Sequence, residues 1–359
     1  MTIESSVQRI TRLTPLDTIL TRVQTRIAAV APRRAPISQS LGAVLAEDVR
    51  AAECPPRPIA LRDGFAVAAG EIADAGPYAP LPLSLTARRI DCGEALPSGT
   101  DAVAPLDAIA LRGTRAEAIA PIAPGEGVLP AGGDVAPATA LRRAGERLRP
   151  LDLAAMAAAR IAEVTIRSPR LTLARAAAAK TPILDAAQAT LSRCAAMAGC
   201  MVRQTESLAE ALKESQCDVV IGIGGTGSGR RDGAVQEVAR LGTIEAYGMA
   251  IAPGETAALA GRLDAALAVW LLIGRHLVAK LAGGGVEVRS TPGTLRRKVT
   301  STIGISEVIP VSCSDGMAEP LGSGYLSLTA LSRSDGWILL PADSEGFAVG
   351  SAIAVHQWP

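Results

Sequence analysis

The spacing of apolar positions changes character several times along the chain. Apolar residues at 16, 19, 20, 23, 27 and 30 recur at helical spacing and predict an amphipathic helix over 16–30, with Thr14 or Asp17 near its start. A second short helix is expected over 40–46. From Val49 the texture turns to proline, glycine and short apolar runs. Cys54-Pro55-Pro56-Arg57-Pro58 must be extended or turn-like, because proline disfavours helix at itself and at the residue before it. Short strands over 80–85, 101–104 and 118–122, separated by turn signals, predict an all-β region resembling a small barrel. Pro150 then starts a helix through 159, with Leu151, Leu153 and Met156 as its larger apolar groups.

After Pro169 strands alternate with helices. Strands are expected over 171–174, 200–203, 219–223 and 243–249, and helices over 183–198, 208–214 and 263–281, with one more after a glycine-rich turn. That order predicts a three-layer αβα domain whose ligands sit at the carboxyl ends of its strands. Beyond Gly283, Gly284 and Gly285, which read as a hinge, short strands return over 286–289, 308–311, 326–331, 337–340 and 352–355. The expected organisation is therefore α/β and multidomain. An N-terminal mixed α+β region (1–50 and 137–168) carries an inserted β-rich domain (51–136). The α/β domain (169–284) and a small C-terminal β domain (285–359) follow.

The stretch with the most chemistry runs from Cys217 to Asp232. A β-branched run, Val219 to Ile223, reads as a buried strand; four glycines then fall within six positions, from Gly224 to Gly229, before Arg230, Arg231 and Asp232. A strand feeding a glycine-rich turn and then a helix N-terminus is an anion site in physical terms. Glycine lets backbone N–H groups approach a ligand, and the helix end adds partial positive charge. A tight turn that binds nothing has the same residues, so this stretch alone leaves both readings open. Elsewhere, Asp63 in Arg62-Asp63-Gly64-Phe65-Ala66-Val67 sits in an Asp-Gly turn at the mouth of a strand, and Gly132-Gly133-Asp134-Val135 is a second glycine–acid corner.

Composition narrows the field. Net charge is +1 and aromatics are 2% of residues, which removes both the electrostatic footprint and the stacking platforms of nucleic-acid binders. The longest apolar run, 265–273, is too short to span a bilayer, and the polar start lacks the apolar core of a signal peptide; the expectation is a cytoplasmic protein. Six cysteines show no paired spacing and read as reduced thiols, and two histidines nearly exclude histidine-based metal or triad chemistry. Carboxylates, backbone dipoles and arginines must carry whatever reaction occurs.

Taken in order, these pieces resemble the molybdopterin molybdenumtransferase family, which includes MoeA and the gephyrin E domain, over nearly the full length. The family's Pro-rich approach to Met-Asp-Gly-Tyr-Ala-Val is similar to 62–67 here, and its Gly-x-x-hydrophobic-Pro-x-Gly loop to 93–103. Its Gly-Glu-Asp-Ile corner is similar to Gly132-Gly133-Asp134-Val135. Its Ser-Gly-Gly-Val-Ser-x-Gly-x-x-Asp loop is similar to Ile223 through Asp232, and its Pro-Gly-Lys-Pro strand end to Pro253-Gly254-Glu255-Thr256. The resemblance implies a homodimer that binds adenylylated molybdopterin, cleaves its pyrophosphate with Mg²⁺ or a similar metal, and inserts molybdenum from molybdate. By it, Gly224, Gly225, Thr226, Gly227, Ser228, Gly229 and Arg230, with Pro253 and Gly254, would hold the cofactor. Asp63, Asp134 and Asp232 would be the remaining catalytic acids; hydrolysis of a pyrophosphate through a hard cation calls for such oxygen ligands.

The departures are as informative. Where the family carries an acidic Ser-Thr-Gly-Asp-Glu-Leu turn, this chain has Ala174-Arg175-Ala176-Ala177-Ala178-Ala179-Lys180. The lysine of Pro-Gly-Lys-Pro is Glu255, the methionine before the Asp-Gly step is Arg62, and the loop serine is Gly227. Loss of two acids and gain of two bases weakens any divalent-cation site. The preferred expectation is a relative with weakened or lost insertion chemistry that binds molybdopterin or finished molybdenum cofactor as a carrier or chaperone. Its partners would be a molybdenum-enzyme client or an active family member. A working insertion enzyme, which would release AMP, is the alternative. A third reading comes from Gly222-Ile223-Gly224-Gly225-Thr226-Gly227, which matches G-x-G-x-x-G with Glu245 about twenty residues on, as in a dinucleotide-binding oxidoreductase. A scaffold without ligand is the fourth.

Overall fold

A computed structural model describes residues 10, 12–85, 87–113, 115–176, 181–226, 233–254, 262–286 and 288–359. The chain forms two compact units, one of Met1–Glu47, Ala144–Pro150 and Glu163–Pro359, the other of Asp48–Arg143 and Leu151–Ala162.

The first unit opens with helix α1 (Leu16–Arg26), which buries Leu16 and Ile19. The next expected helix, over 40–46, does not form. A single 3₁₀ turn at Ile37–Gln39 leads instead to a strand at Val44–Leu45, which pairs with Glu163–Arg167. Gly42 explains the difference. It adopts φ +74°, and a side chain there would stand 2.7 Å from the Met197 carbonyl oxygen, so this corner is set by close backbone approach rather than by helical periodicity.

The α/β portion is built on β1 (Arg170–Arg175), β2 (Met201–Thr205) and β3 (Val219–Ile223), all parallel in the order β2-β1-β3. The connecting helices are α2 (Pro182–Met197) and α3 (Leu208–Lys213), and each starts with a hydroxyl cap. Thr181 accepts from the Leu184 N–H and Ser207 from the Glu210 N–H. α4 (Ala234–Leu241) follows the glycine turn. The long helix over 263–281 forms as expected, with a π-helical turn at Trp270–Gly274 between α5 (Leu263–Val269) and α6 (Arg275–Leu281). Leu171, Leu173, Leu191, Ile223, Trp270 and Leu271 share the core that binds sheet to helices.

Two expectations need correction here. β3 was expected to be fully buried, yet it is an edge strand among the described residues, and Val219, Val220 and Ile221 are only half-buried. The segment over 243–249 does not extend this sheet; only Gly248–Met249 is extended, and it pairs with Leu13–Thr14.

The C-terminal part comprises β4 (Ile251–Ala252), β5 (Ser290–Leu295), β6 (Ser306–Ser314), β7 (Met317–Pro320), β8 (Gly336–Leu340) and β9 (Ala352–His356). They run β4-β6-β7-β5-β9-β8, and β8 also pairs with β6, so five strands close on themselves and β4 joins from outside. Closure removes the exposed edges that a small open sheet would present. Leu295, Ile309, Val311, Ile338, Leu340 and Val355 fill the interior. The strand expected over 286–289 begins instead at Ser290. The one expected over 326–331 is a helix, Leu328–Arg333, whose first turn is capped by Ser327 accepting from the Ala330 N–H at 3.1 Å.

The second unit is β-rich, as expected. Gly64–Val67 lies between Arg88–Ile90 and Ala102–Ala104, and Arg115–Ala118 lies between Ile109–Arg112 and Leu81–Pro82. The strand expected over 118–122 therefore ends at 118. Ion pairing of Arg142 with the buried Asp152, at 3.4 Å, ties the Ala140–Arg142 strand to the helix that begins at Pro150.

Candidate functional site

Parallel pairing in register, Ala174 opposite Gly222 and Arg175 opposite Ile223, brings the carboxyl ends of β1 and β3 side by side. The Ala176 N–H then donates to the Ile223 carbonyl at 3.0 Å. Immediately beyond, Gly224 and Gly225 take φ +85° and +77°. A Cβ on Gly225 would lie 2.5 Å from the Ala176 carbonyl oxygen, so both conformation and space require glycine here. The Ala234 N–H donates to the Gly225 carbonyl at 3.1 Å and fastens the start of α4 to the turn. Thr226 is buried, and the Tyr247 hydroxyl donates to its carbonyl at 3.1 Å. Gly227, Ser228, Gly229, Arg230, Arg231 and Asp232 lie outside the described residues.

At the end of β1 the charge is supplied by an arginine. The Arg175 side chain is 9% exposed and pairs with Asp185 at 2.6 Å and Glu206 at 3.5 Å, while Gln188 accepts from its Nη2 at 3.1 Å. A hard cation needs several oxygen ligands converging on one point. At Arg175 the nearby carboxylates are engaged by a guanidinium instead, so this donor set does not fit Mg²⁺; residues 177–180 lie outside the described residues. Among the described residues, no group of three or more His, Cys, Asp or Glu side chains is arranged to hold a metal ion.

Asp63 and Asp134 belong to the second unit and both are exposed. Asp63 accepts from the Cys92 N–H through Oδ1 at 2.8 Å, and the Asp134 backbone N–H donates to the Cys54 carbonyl at 3.0 Å. Arg62 is tethered within the same unit. Its Nε and Nη2 donate to the Val103 carbonyl at 3.0 and 2.7 Å, and Nη2 reaches Glu126 at 3.0 Å. The hydrogen bond from Arg62 holds the Glu126 carboxyl below the usual carboxylate range, with a backbone hydrogen bond from Ala123 adding to it.

Pro253 and Gly254 end β4, with Gly254 at φ +110°. β4 is seated on β6 through the pairs Ile251–Ser306 and Ala252–Glu307. Sequence reasoning missed the groups that surround this seat. Glu307 is 3% exposed and accepts from the Ser301 hydroxyl at 2.6 Å, the Ser323 hydroxyl at 2.7 Å and the Gly324 N–H at 2.6 Å. Asp264, also 3% exposed, accepts from Arg262 Nε and from the Leu326 N–H, each at 3.3 Å. Arg262 Nη2 donates to the Tyr325 hydroxyl at 2.7 Å, and its guanidinium lies 4.5 Å from the ring centre. Two buried carboxylates, each satisfied by hydrogen-bond donors, thus hold the Ser323–Leu326 loop in this part of the unit. The glycines on either side of Ser323 were the available signal in the sequence.

Comparison with known proteins gives the family of the chain. The model of the MoeA N-terminal region (domains I and II) matches residues 7–159, and that of the MoeA C-terminal region (domain IV) matches residues 292–358, together more than half of the chain. The chain belongs to the MoeA family. A Methanocaldococcus jannaschii protein named for molybdopterin biosynthesis is 29% identical over 162 residues; the match spans 42% of this chain and 39% of that relative, well under two thirds of its length. The crystal structure of the molybdopterin biosynthesis MoeA protein from Pyrococcus horikoshii has a TM-score of 0.72 at 22% identity, covering 97% of this chain and all of that one. A molybdenum cofactor biosynthesis protein from Pyrococcus furiosus gives 0.55 at 19% identity, again over 97% of this chain and all of the other. At these identities the structures establish the fold, which is the multidomain α/β architecture of MoeA with its small C-terminal β domain.

Within a MoeA fold the dinucleotide reading loses its footing. Glu245, its acidic residue, does not end a strand beside β3; its carboxylate pairs with Arg26 and lies 3.7 Å from Arg22, both on α1.

Proposed function

We propose that this MoeA-family chain binds molybdopterin, or its adenylylated or metallated form, and hands it on with the molybdenum-insertion chemistry weakened or lost. The glycine turn at the carboxyl end of β3 supports the binding half of the reading. It is backed by buried Thr226 and fastened to α4, a setting suited to a phosphate. The observation that carries the other half is Arg175, which lies in the stretch corresponding to the family's acidic turn and engages Asp185 and Glu206 itself. The partners this reading calls for are a second copy of the chain and a molybdenum-enzyme client or an active family member, and the compartment it calls for is the cytoplasm. Among the described residues no helix is long and apolar enough to cross a membrane.

The test is calorimetric titration with molybdopterin and with its adenylylated form, each with and without Mg²⁺ and molybdate. Saturable binding that does not depend on Mg²⁺ is expected. Gly225→Val, which blocks the turn, should abolish it in protein that is still folded by circular dichroism. Binding that appears only with Mg²⁺ would favour the working transferase, and no binding of either pterin would overturn the proposal.

A further inference from the structure

A cavity of about 470 Å³ lies within the first unit, on a different set of elements from the glycine turn. Its walls come from the end of α2, the long helix, the 147–150 segment and the chain's last residues. The apolar share is large and partly aromatic: Trp270, Trp358, Leu148, Leu271 and Ala198 face it, and Met197, 64% exposed, stands at its rim. The wall is built rather than loose. Gln357 donates its N–H to the Arg289 carbonyl at 3.1 Å, and Trp358 Nε1 donates to the Ser334 hydroxyl at 3.0 Å. Arg147 clamps the opposite side by donating to the Gly42 and Ala198 carbonyls.

Among the described residues, the charged side chains of the lining are all of one sign: Arg147, Arg149, Arg275 and Arg289 contribute guanidinium groups, and no described Asp or Glu side chain is among them. Arg275 stands apart from the others. Its Nε is buried without a hydrogen-bond partner, and among the described residues no side-chain carboxylate pairs with it. Its guanidinium lies over the face of Trp337, 5.4 Å from the ring centre, and its charge acts on His276 and His356. Burial pulls its pKa below the ordinary arginine range, the mark of a cation short of solvent and of counter-charge. Leaving a buried donor unmet is costly, and an oxyanion delivered through the cavity would meet it with a charge-assisted bond. The volume is that of a small-molecule site, and flat indole walls suit a ring.

We propose that this cavity is a second ligand site, taking a small aromatic oxyanion whose carboxylate or phosphate meets Arg275 and whose ring lies against Trp270 and Trp358. Specificity for the anion comes from Arg275, whose buried Nε has no hydrogen-bond partner. Specificity for a ring comes from the two indoles. This site is independent of the pterin-binding proposal, since none of its lining residues belongs to the glycine turn.

The experiment is calorimetry of the full chain with 1-naphthyl phosphate, 1-naphthoate and neutral 1-naphthol. Both anions should bind, with the naphthol about tenfold weaker or more. Comparing the two anions separates a phosphate site from a carboxylate site. Arg275→Gln should remove the preference for anions. Met197→Glu, on an exposed position that leaves the fold alone, should weaken both anions by about tenfold through like-charge repulsion and leave naphthol unchanged. Naphthol binding as tightly as the anions would overturn the proposal. So would anion binding unaffected by either substitution, which would place the ligand elsewhere, or no binding of any probe.

Discussion

Arg175 and Arg275 make an instructive pair, since both bury an Nε that has no hydrogen-bond partner within the same compact unit. Arg175 ends a strand and is met by Asp185, Glu206 and Gln188. Arg275 starts the last stretch of the long helix and is met by the Trp337 face and by His276 and His356, with no carboxylate among the described residues. Both leave buried donors without a hydrogen bond, Nε and Nη1 of Arg175 and Nε of Arg275, so the difference is one of charge: carboxylates offset the field of Arg175 and not that of Arg275. On the proposed reading, positive charge at the carboxyl end of β1 disfavours a divalent cation there, whereas positive charge in the cavity favours an anion.

The largest expected effect concerns the turn beside Arg175. Gly225→Ala forces a side chain into a left-handed conformation and against the Ala176 carbonyl, and should cost about 2–4 kcal/mol in denaturant unfolding. A loss below about 0.5 kcal/mol would mean that the turn is not constrained as described. Next comes the contrast itself. Arg175→Ala should cost about 1–2 kcal/mol, mostly packing, because Asp185 and Glu206 are exposed enough to stay solvated without it. Arg275→Gln should be neutral within about 0.5 kcal/mol, or stabilising, because it removes an uncompensated buried charge. Equal losses from the two substitutions would erase the distinction between them.

A smaller effect should be visible in the histidine titrations. Burial, and then the charge of Arg275, hold His356 below the ordinary value of 6.5. The unfolded chain then binds the proton more readily than the folded one, so this group's contribution to stability is fully present above about pH 6.5 and is lost as pH falls below it. In Arg275→Gln the His356 midpoint, followed by NMR, should move up toward the ordinary value, and no movement would separate the two groups electrostatically. The smallest effect is chemical. Burial pushes the Cys194 thiol, in the cavity wall, up to about 11 and the Cys200 thiol up to about 12. Both should stay silent to a thiol reagent at pH 8 while exposed Cys92 and Cys313 react. Rapid labelling of Cys194 would mean that the cavity wall opens.

Local signals in the sequence carried most of the fold. The β-branched run Val219 to Ile223, the proline at the start of the 150–158 helix and the long apolar pattern of 263–281 each announce their element through nearest neighbours. Errors arose where distant backbone decided the outcome. Gly42 is placed by Met197, and the 326–331 segment alternates like a strand but is turned into a helix by the Ser327 cap. The glycine turn was legible because its conformational requirement is written in its own residues. Glu307, Asp264 and Arg275 were not, since their meaning lies in what the fold brings to them. Arg275 reads as an ordinary helix cation until residues 147–149 and 357–359 are seen to share its cavity.

The central claim is that a MoeA fold here retains a pterin site without the acidic groups that make it an insertion enzyme. Its most direct test is to incubate the purified chain with adenylylated molybdopterin, molybdate and Mg²⁺, and to quantify both protein-bound pterin and free AMP. Pterin retained with AMP no higher than in a protein-free control is the predicted result. Catalytic release of AMP, with more than one equivalent formed per chain, would contradict it.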